Sequence, residues 1–229
     1  DYLGEAPLAK VEIFEDHTRE IVAKNNSPDL GFRFSVNPYR GCNHACAYCF
    51  ARPTHEYLSF GAGTDFDTKI MAKLKAPQLL REAFERPSWR GERLMFSGVT
   101  DCYQPIEASL KLTRQCLEVC AEYRNPISMV TKGALVERDL DLLVRLTREA
   151  SASIAISIPI WDPVMARAIE PGAPTPQRRM QAVRKLAAAG IDIGVMVAPI
   201  IPGVSDEGMA LVLEAAKDAG AKFAGYVLL

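Results

Sequence analysis

Arg40-Gly41-Cys42-Asn43-His44-Ala45-Cys46-Ala47-Tyr48-Cys49-Phe50 is the stretch on which the reading of this chain turns. Three of the six cysteines fall here within eight residues, spaced C-x3-C-x2-C, while Cys102, Cys116 and Cys120 stand apart. A small secreted scaffold spreads its cysteines as staples along a short chain. One tight cluster in a chain of 229 residues points instead to metal binding in a reducing compartment, and so to the cytoplasm. Three thiolates can converge from one short loop. Iron-sulfur clusters usually take four cysteine ligands, and no fourth cysteine lies nearby, so one iron would keep an open coordination position. An open position marks a catalytic metal rather than a structural one.

Two plainer readings compete. A Cys3His zinc site with His44 is chemically available, but His44 lies inside the cysteine loop, one residue from its neighbours, which makes simultaneous ligation awkward. Cysteines buried by accident in a core would follow a strand or helix period rather than crowd into a turn containing Gly41 and Asn43.

Outward from this loop the chain alternates. Short runs that suit a pleated, buried surface lie at residues 32–36, 93–97, 127–131, 153–158, 191–198 and 222–229. Helical spacing fills residues 76–85, 106–123, 137–150, 176–189 and 206–219, with Gly190 and Gly220 where two of these helices should stop. Cys116 and Cys120, four apart on one predicted helix, read as core. Six strand-helix alternations predict a parallel sheet with helices outside, and chemistry then gathers at the carboxyl ends of the strands. The unusual residues do sit at or just past the ends of predicted strands: 37–49, 98–105, Lys132, Ser157 to Pro159 and 199–203. The first 30 residues are polar and read as an N-terminal extension outside a core domain spanning 31–229.

The totals restrict partners only loosely. A formal charge of -1 gives no global footprint for nucleic acid. No apolar run approaches the roughly 18 residues of a membrane span, so no membrane partner is expected. The oligomeric state is not legible. The close on Tyr226-Val227-Leu228-Leu229, apolar and without a polar tail, reads as a segment of a longer polypeptide whose remainder would close the site or choose the substrate.

The C-x3-C-x2-C spacing, with aromatic Tyr48 before the last cysteine, resembles the motif of the radical S-adenosylmethionine (radical SAM) superfamily. That resemblance implies a partial (β/α)6 barrel of the TIM-like type and a [4Fe-4S] cluster on Cys42, Cys46 and Cys49. It implies S-adenosylmethionine on the open iron, reductive cleavage to a 5'-deoxyadenosyl radical, and hydrogen abstraction from a substrate. An external electron donor such as flavodoxin or ferredoxin is implied with it. Phe96-Ser97-Gly98-Val99-Thr100-Asp101, Val130-Thr131-Lys132, Ile156-Ser157-Ile158, Glu170-Pro171-Gly172, Arg179-Met180 and Val197-Ala198-Pro199 occur in order. They are similar to segments of spore photoproduct lyase and the proteins described as DNA repair photolyases, which makes nucleic acid one candidate substrate. On this resemblance Lys132 and Ser157 contact the methionine carboxylate, Ser97 and Gly98 face the methionine amino group, Tyr48 lies beside the adenine, and Cys102 is a candidate hydrogen donor. Glu170 and Arg179 read as an ion pair between loop and helix. The segment from Thr100 to Glu107 departs from the lyase, and no interleaving of aromatic and basic residues marks a DNA groove. The competing class is a non-catalytic iron-sulfur or zinc protein that senses or scaffolds.

Overall fold

The computed structural model describes residues 10–28 and 30–229; the first nine residues of the expected extension lie outside the described part. In chain order, the elements before the second parallel strand are β1 (Glu12–Glu15), β2 (Val22–Lys24), β3 (Phe34–Val36), β4 (Tyr39–Arg40), a 3-10 segment (Arg52–Leu58), α1 (Thr64–Thr68), β5 (Lys69–Ala72) and α2 (Ala76–Glu85). There follow β6 (Leu94–Phe96), α3 (Glu107–Leu110), α4 (Leu112–Glu122), β7 (Ile127–Thr131), a 3-10 segment (Ala134–Asp139), α5 (Leu140–Glu149) and β8 (Ala152–Ser157). The last are α6 (Pro163–Ile169), α7 (Pro176–Ala188), β9 (Asp192–Ile200), α8 (Met209–Asp218) and β10 (Phe223–Leu228).

The main sheet runs in the order β10-β9-β8-β7-β6-β3-β2. All neighbours from β3 to β10 pair in parallel, and β2 joins antiparallel at the edge. Strand order follows chain order, with helices on the crossovers, and β2 and β10 do not pair with each other. The result is an open, partial barrel, as expected. Parallel strands covered on both faces lose the simple in-out alternation. β8 shows this, with five of its six residues buried.

The helices form where their apolar residues recur on one face. In α7, Met180, Val183 and Leu186 are buried together against the sheet. Thr175 caps its start by accepting the Arg178 N–H, and Pro176 occupies the first turn, where a missing N–H costs nothing. Gly190 ends it at φ +81°, a conformation that costs other residues a Cβ clash. Each fully buried Leu, Ile or Val of this kind contributes about 1.5–3 kcal/mol.

Two expectations needed changing. The helix expected over 106–123 is two pieces, because Lys111 turns the chain at φ +55° between them. The buried Glu107 then accepts the Thr113 N–H at 3.0 Å and caps the second piece. The segment read as an outer extension is also paired into the fold: β1 lies beside β5 in a small second sheet, β2 lies on β3, and Ile21 is in the core. Its apolar alternation is too brief, between charged neighbours, to announce a strand.

Candidate functional site

The cysteine loop leaves the small sheet at β4 and crosses the carboxyl ends of the barrel strands. Gly41 at φ +78° and Ala45 at φ +56° bend it back on itself. A Cβ on Gly41 would meet the His55 ring and the Phe66 carbonyl oxygen, both at 2.9 Å, so the position also depends on a bare Cα. The loop is anchored on several sides. Cys42 N donates to Phe66 O at 2.9 Å, Ala47 N to Ile169 O at 2.9 Å, and Gly172 N to His44 O at 3.1 Å. Gln104, fully buried, donates through Nε2 to Gly41 O at 2.9 Å and accepts from Asn43 N at 3.0 Å. Arg52 Nη2 donates to Cys46 O at 3.0 Å. Each is the partner that a buried loop needs for its backbone groups.

Cys42, Cys46 and Cys49 line one cavity of about 490 Å³ at this end of the barrel. Tyr48, Ser97, Lys132 and Ser157 line it too, with His44 and Asp101. All three thiols are free. Cys42 and Cys46 are buried and Cys49 is half-buried. Burial pushes the Cys46 thiol up to about 11, against the opposing pull of the Lys132 ammonium. Burial and the Asp101 charge push Cys42 well above the ordinary thiol range. Metal uptake by such thiols releases protons.

Not every expected residue reaches the cavity. Gly98 is not among the lining residues; a Cβ there would stand 3.3 Å from the Ser35 Cβ. Cys102 is fully buried in the hydrophobic core and lines no part of the cavity. Its backbone N–H donates to Ser97 Oγ at 2.9 Å, which holds Ser97 at the unusual φ of +69°. Cys116 and Cys120 lie in the core, as their spacing predicted.

Sequence reasoning missed Asp101 as the organiser of this wall. It accepts from Thr131 Oγ1 at 2.5 Å, Lys132 N at 2.7 Å and Tyr103 N at 2.9 Å, and lies 3.3 Å from His44 Nδ1. Burial alone would raise its carboxyl, but the His44 charge and these hydrogen bonds outweigh it and hold Asp101 well below the usual carboxylate range. The expected Glu170–Arg179 pair is present at 2.5 Å, with both side chains buried. Asp101 and Gln104 both lie in the stretch just past a predicted strand, and Asp101 also closes a segment similar to the lyase, but neither position announced its buried hydrogen-bonding role.

With this geometry in place, the comparisons with known proteins decide the family. Residues 36–216 match the family model of the Radical SAM superfamily. This chain belongs to the radical SAM superfamily. The uncharacterized protein Rv2578c of Mycobacterium tuberculosis is 45% identical over 183 residues, which cover 80% of this chain and 54% of that protein. The uncharacterized protein MJ0683 of Methanocaldococcus jannaschii is 29% identical over 198 residues, covering 86% and 71%. The chain thus spans about half the length of the mycobacterial relatives it matches. Among solved structures, spore photoproduct lyase complexed with dinucleoside spore photoproduct superposes with a TM-score of 0.66 at 20% identity, over 90% of this chain and 57% of that one. Native anSMEcpe with bound AdoMet superposes with a TM-score of 0.54 at 17% identity, over 85% and 51%. These likenesses are in fold.

Radical SAM proteins use a [4Fe-4S] cluster and S-adenosylmethionine, and the residues present fit both. Three unpaired thiols share one cavity with a lysine and two serines. The volume lies within the roughly 300–1,000 Å³ of small-molecule sites. Among the described residues no three His, Cys, Asp or Glu side chains are grouped to hold a single metal ion. A cluster instead spreads its thiolates over separate irons. His44 Nδ1, buried on the cavity wall, meets Asp101 Oδ2 at 3.3 Å as an ionic partner and makes no other polar contact. Among the described residues no helix is long and apolar enough to cross a membrane.

Proposed function

We propose that this chain is a radical SAM enzyme whose cluster is held by Cys42, Cys46 and Cys49, acting in the reducing cytoplasm with an external electron donor such as flavodoxin or ferredoxin. The observation that carries the reading is the shared cavity: three thiols and four of the expected cofactor contacts line one space. When bound, the cluster and S-adenosylmethionine supply a one-electron cleavage that yields a 5'-deoxyadenosyl radical able to abstract hydrogen.

The chain's own residues bind and orient. Lys132, at the end of β7, offers an ammonium to the methionine carboxylate in a charge-assisted hydrogen bond. Ser157, at the end of β8, offers a hydroxyl whose present contact with Ala198 O is long, at 3.3 Å, and easily exchanged. Ser97 turns towards the amino group, with Gly98 supporting the turn from behind. Tyr48 sets its ring beside the adenine. Val130 and Met196 supply apolar lining to the cavity, with the exposed Val99 and Leu228 at its rim. Because Cys102 is walled off in the core, we do not assign it the hydrogen-donor role.

The substrate class to test first is nucleic acid, on the fold likeness to spore photoproduct lyase. Anaerobically reconstituted, reduced protein should turn S-adenosylmethionine into 5'-deoxyadenosine, and the rate is to be compared with DNA, RNA, peptide and metabolite pools added. DNA carrying thymine-dimer lesions should stimulate cleavage across a range of salt, since nonspecific phosphate binding falls steeply as salt rises. No stimulation and no lesion reversal would remove nucleic-acid repair from the reading. Zinc in place of iron, with no S-adenosylmethionine bound, would favour a sensor or scaffold.

A further inference from the structure

One carboxylate ties the polar wall of the cavity together without lining the cavity itself. Glu170 lies between α6 and α7 and is 1% exposed. Its Oε2 accepts from Arg179 Nη2 at 2.5 Å, and its Oε1 accepts from the Tyr48 hydroxyl. Arg179 Nη1 continues the chain of contacts to Ser157 O at 3.1 Å. One buried ion pair therefore reaches the cysteine loop, the α6–α7 loop and the end of β8.

Lys132 is bound to this pair differently. Its Nζ stands 3.8 Å from Glu170 Oε1 and 5.5 Å from the centroid of the Tyr48 ring. At 3.8 Å the attraction is Coulombic, without a donated hydrogen bond. Among the described residues the Lys132 ammonium donates to no acceptor. An ammonium carries three N–H donors, and here they are unspent beside a cavity. A negative charge placed closer, or with a lone pair aimed at Nζ, would have consumed one. Arg179 and Tyr48 occupy the Glu170 oxygens and so leave its charge in place while restricting its reach.

We propose that Glu170 is a positioning residue for carboxylate recognition: it holds the Lys132 ammonium against the cavity wall with its donors free for the carboxylate of a bound amino-acid-type ligand. The inference rests on the reading of the site given above and adds to it the residue through which Lys132 acts. A purely structural loop-to-helix pair would contribute to stability alone.

The test uses anaerobically reconstituted holoprotein and equilibrium dialysis with S-adenosylmethionine and with its methyl ester, which lacks the carboxylate charge. Wild type should prefer the acid, and Glu170→Gln should weaken binding of the acid by about tenfold while leaving the ester within about twofold, which collapses the preference. In a Lys132→Met background, Glu170→Gln should add less than about twofold, because residues acting through one contact are not additive. Glu170→Gln leaves Arg179 buried and unpaired, so Glu170→Gln/Arg179→Gln is measured alongside; it removes both charges together and should lose the same preference. Retention of the acid-over-ester preference in the folded variants, with iron content equal to wild type, overturns the inference alone. A wild-type holoprotein that binds neither compound overturns the parent reading and this inference with it.

Discussion

His44 Nδ1 lies 3.3 Å from Asp101 Oδ2, so the middle of the cysteine loop is held against the loop that follows β6. The same carboxylate takes hydrogen bonds from Thr131 and Lys132 at the end of β7. One buried side chain thereby sets the spacing of three segments around the cavity. Asp101→Asn keeps the shape but gives up the charge, and at neutral pH it should cost about 3 kcal/mol in urea unfolding, the scale for breaking one partner out of a buried charged network.

The pH dependence of that cost has a definite sign. A carboxyl whose folded pKa is depressed contributes stability that is fully present above its unfolded value of about 3.9 and is lost as pH falls from there towards the folded value. Asp101 is shifted in that direction. The gap in unfolding free energy between wild type and Asp101→Asn should narrow as pH falls below about 4. A gap that widens below that pH would contradict the assignment.

Gly172 is where the α6–α7 loop meets the cysteine loop. A Cβ at this position would overlap the Asn43 carbonyl oxygen, so backbone would have to move. Gly172→Ala should destabilise by about 1–3 kcal/mol, the cost of overpacking a tight contact. It should also lower iron incorporation, because the displaced segment carries the cysteines proposed as ligands. Thermal melting together with iron per chain distinguishes this from a simple loss of stability.

The six cysteines should separate into two groups. Cys102, Cys116 and Cys120 are fully buried core residues. Their replacement by Ala should cost about 1–2 kcal/mol each through the small cavity left behind and leave iron content and 5'-deoxyadenosine formation within about twofold. In the cluster-free protein, Cys49 should be alkylated before Cys42 and Cys46, since it alone of the three is half-buried rather than buried. Peptide mapping after timed alkylation reads this order.

Much of the fold was legible because it rests on periodicity. β7 and α2 fall at the expected residues, 127–131 and 76–85, where buried positions repeat cleanly. The helix break at Lys111 was not legible, because it depends on Glu107 folding back to cap α4, a tertiary event. The small sheet was hidden for a related reason: β4 is two residues long and β5 four, too short for alternation to register. At the site, the cysteines announced themselves by spacing, and Lys132 and Ser157 through the resemblance of their segments to the lyase, at the ends of predicted strands. Asp101 and Gln104 did not, since a buried hydrogen-bonding role is set by which loops meet in space. Ser97 and Cys102 are five residues apart and bonded to each other, yet only Ser97 faces the cavity. Ser97 itself stands at φ +69°, which no local pattern encodes.

The central claim is that Cys42, Cys46 and Cys49 together hold a cluster able to engage S-adenosylmethionine. It is tested most directly by anaerobic reconstitution of wild type and Cys46→Ala, with iron, sulfide and the EPR spectrum of the reduced protein measured before and after S-adenosylmethionine is added. Wild type should carry about four irons per chain, with an EPR signal that changes shape on addition of the cofactor, and Cys46→Ala should lose both iron and signal. A Cys46→Ala protein that keeps the full iron content and the same cofactor-sensitive spectrum would contradict the account.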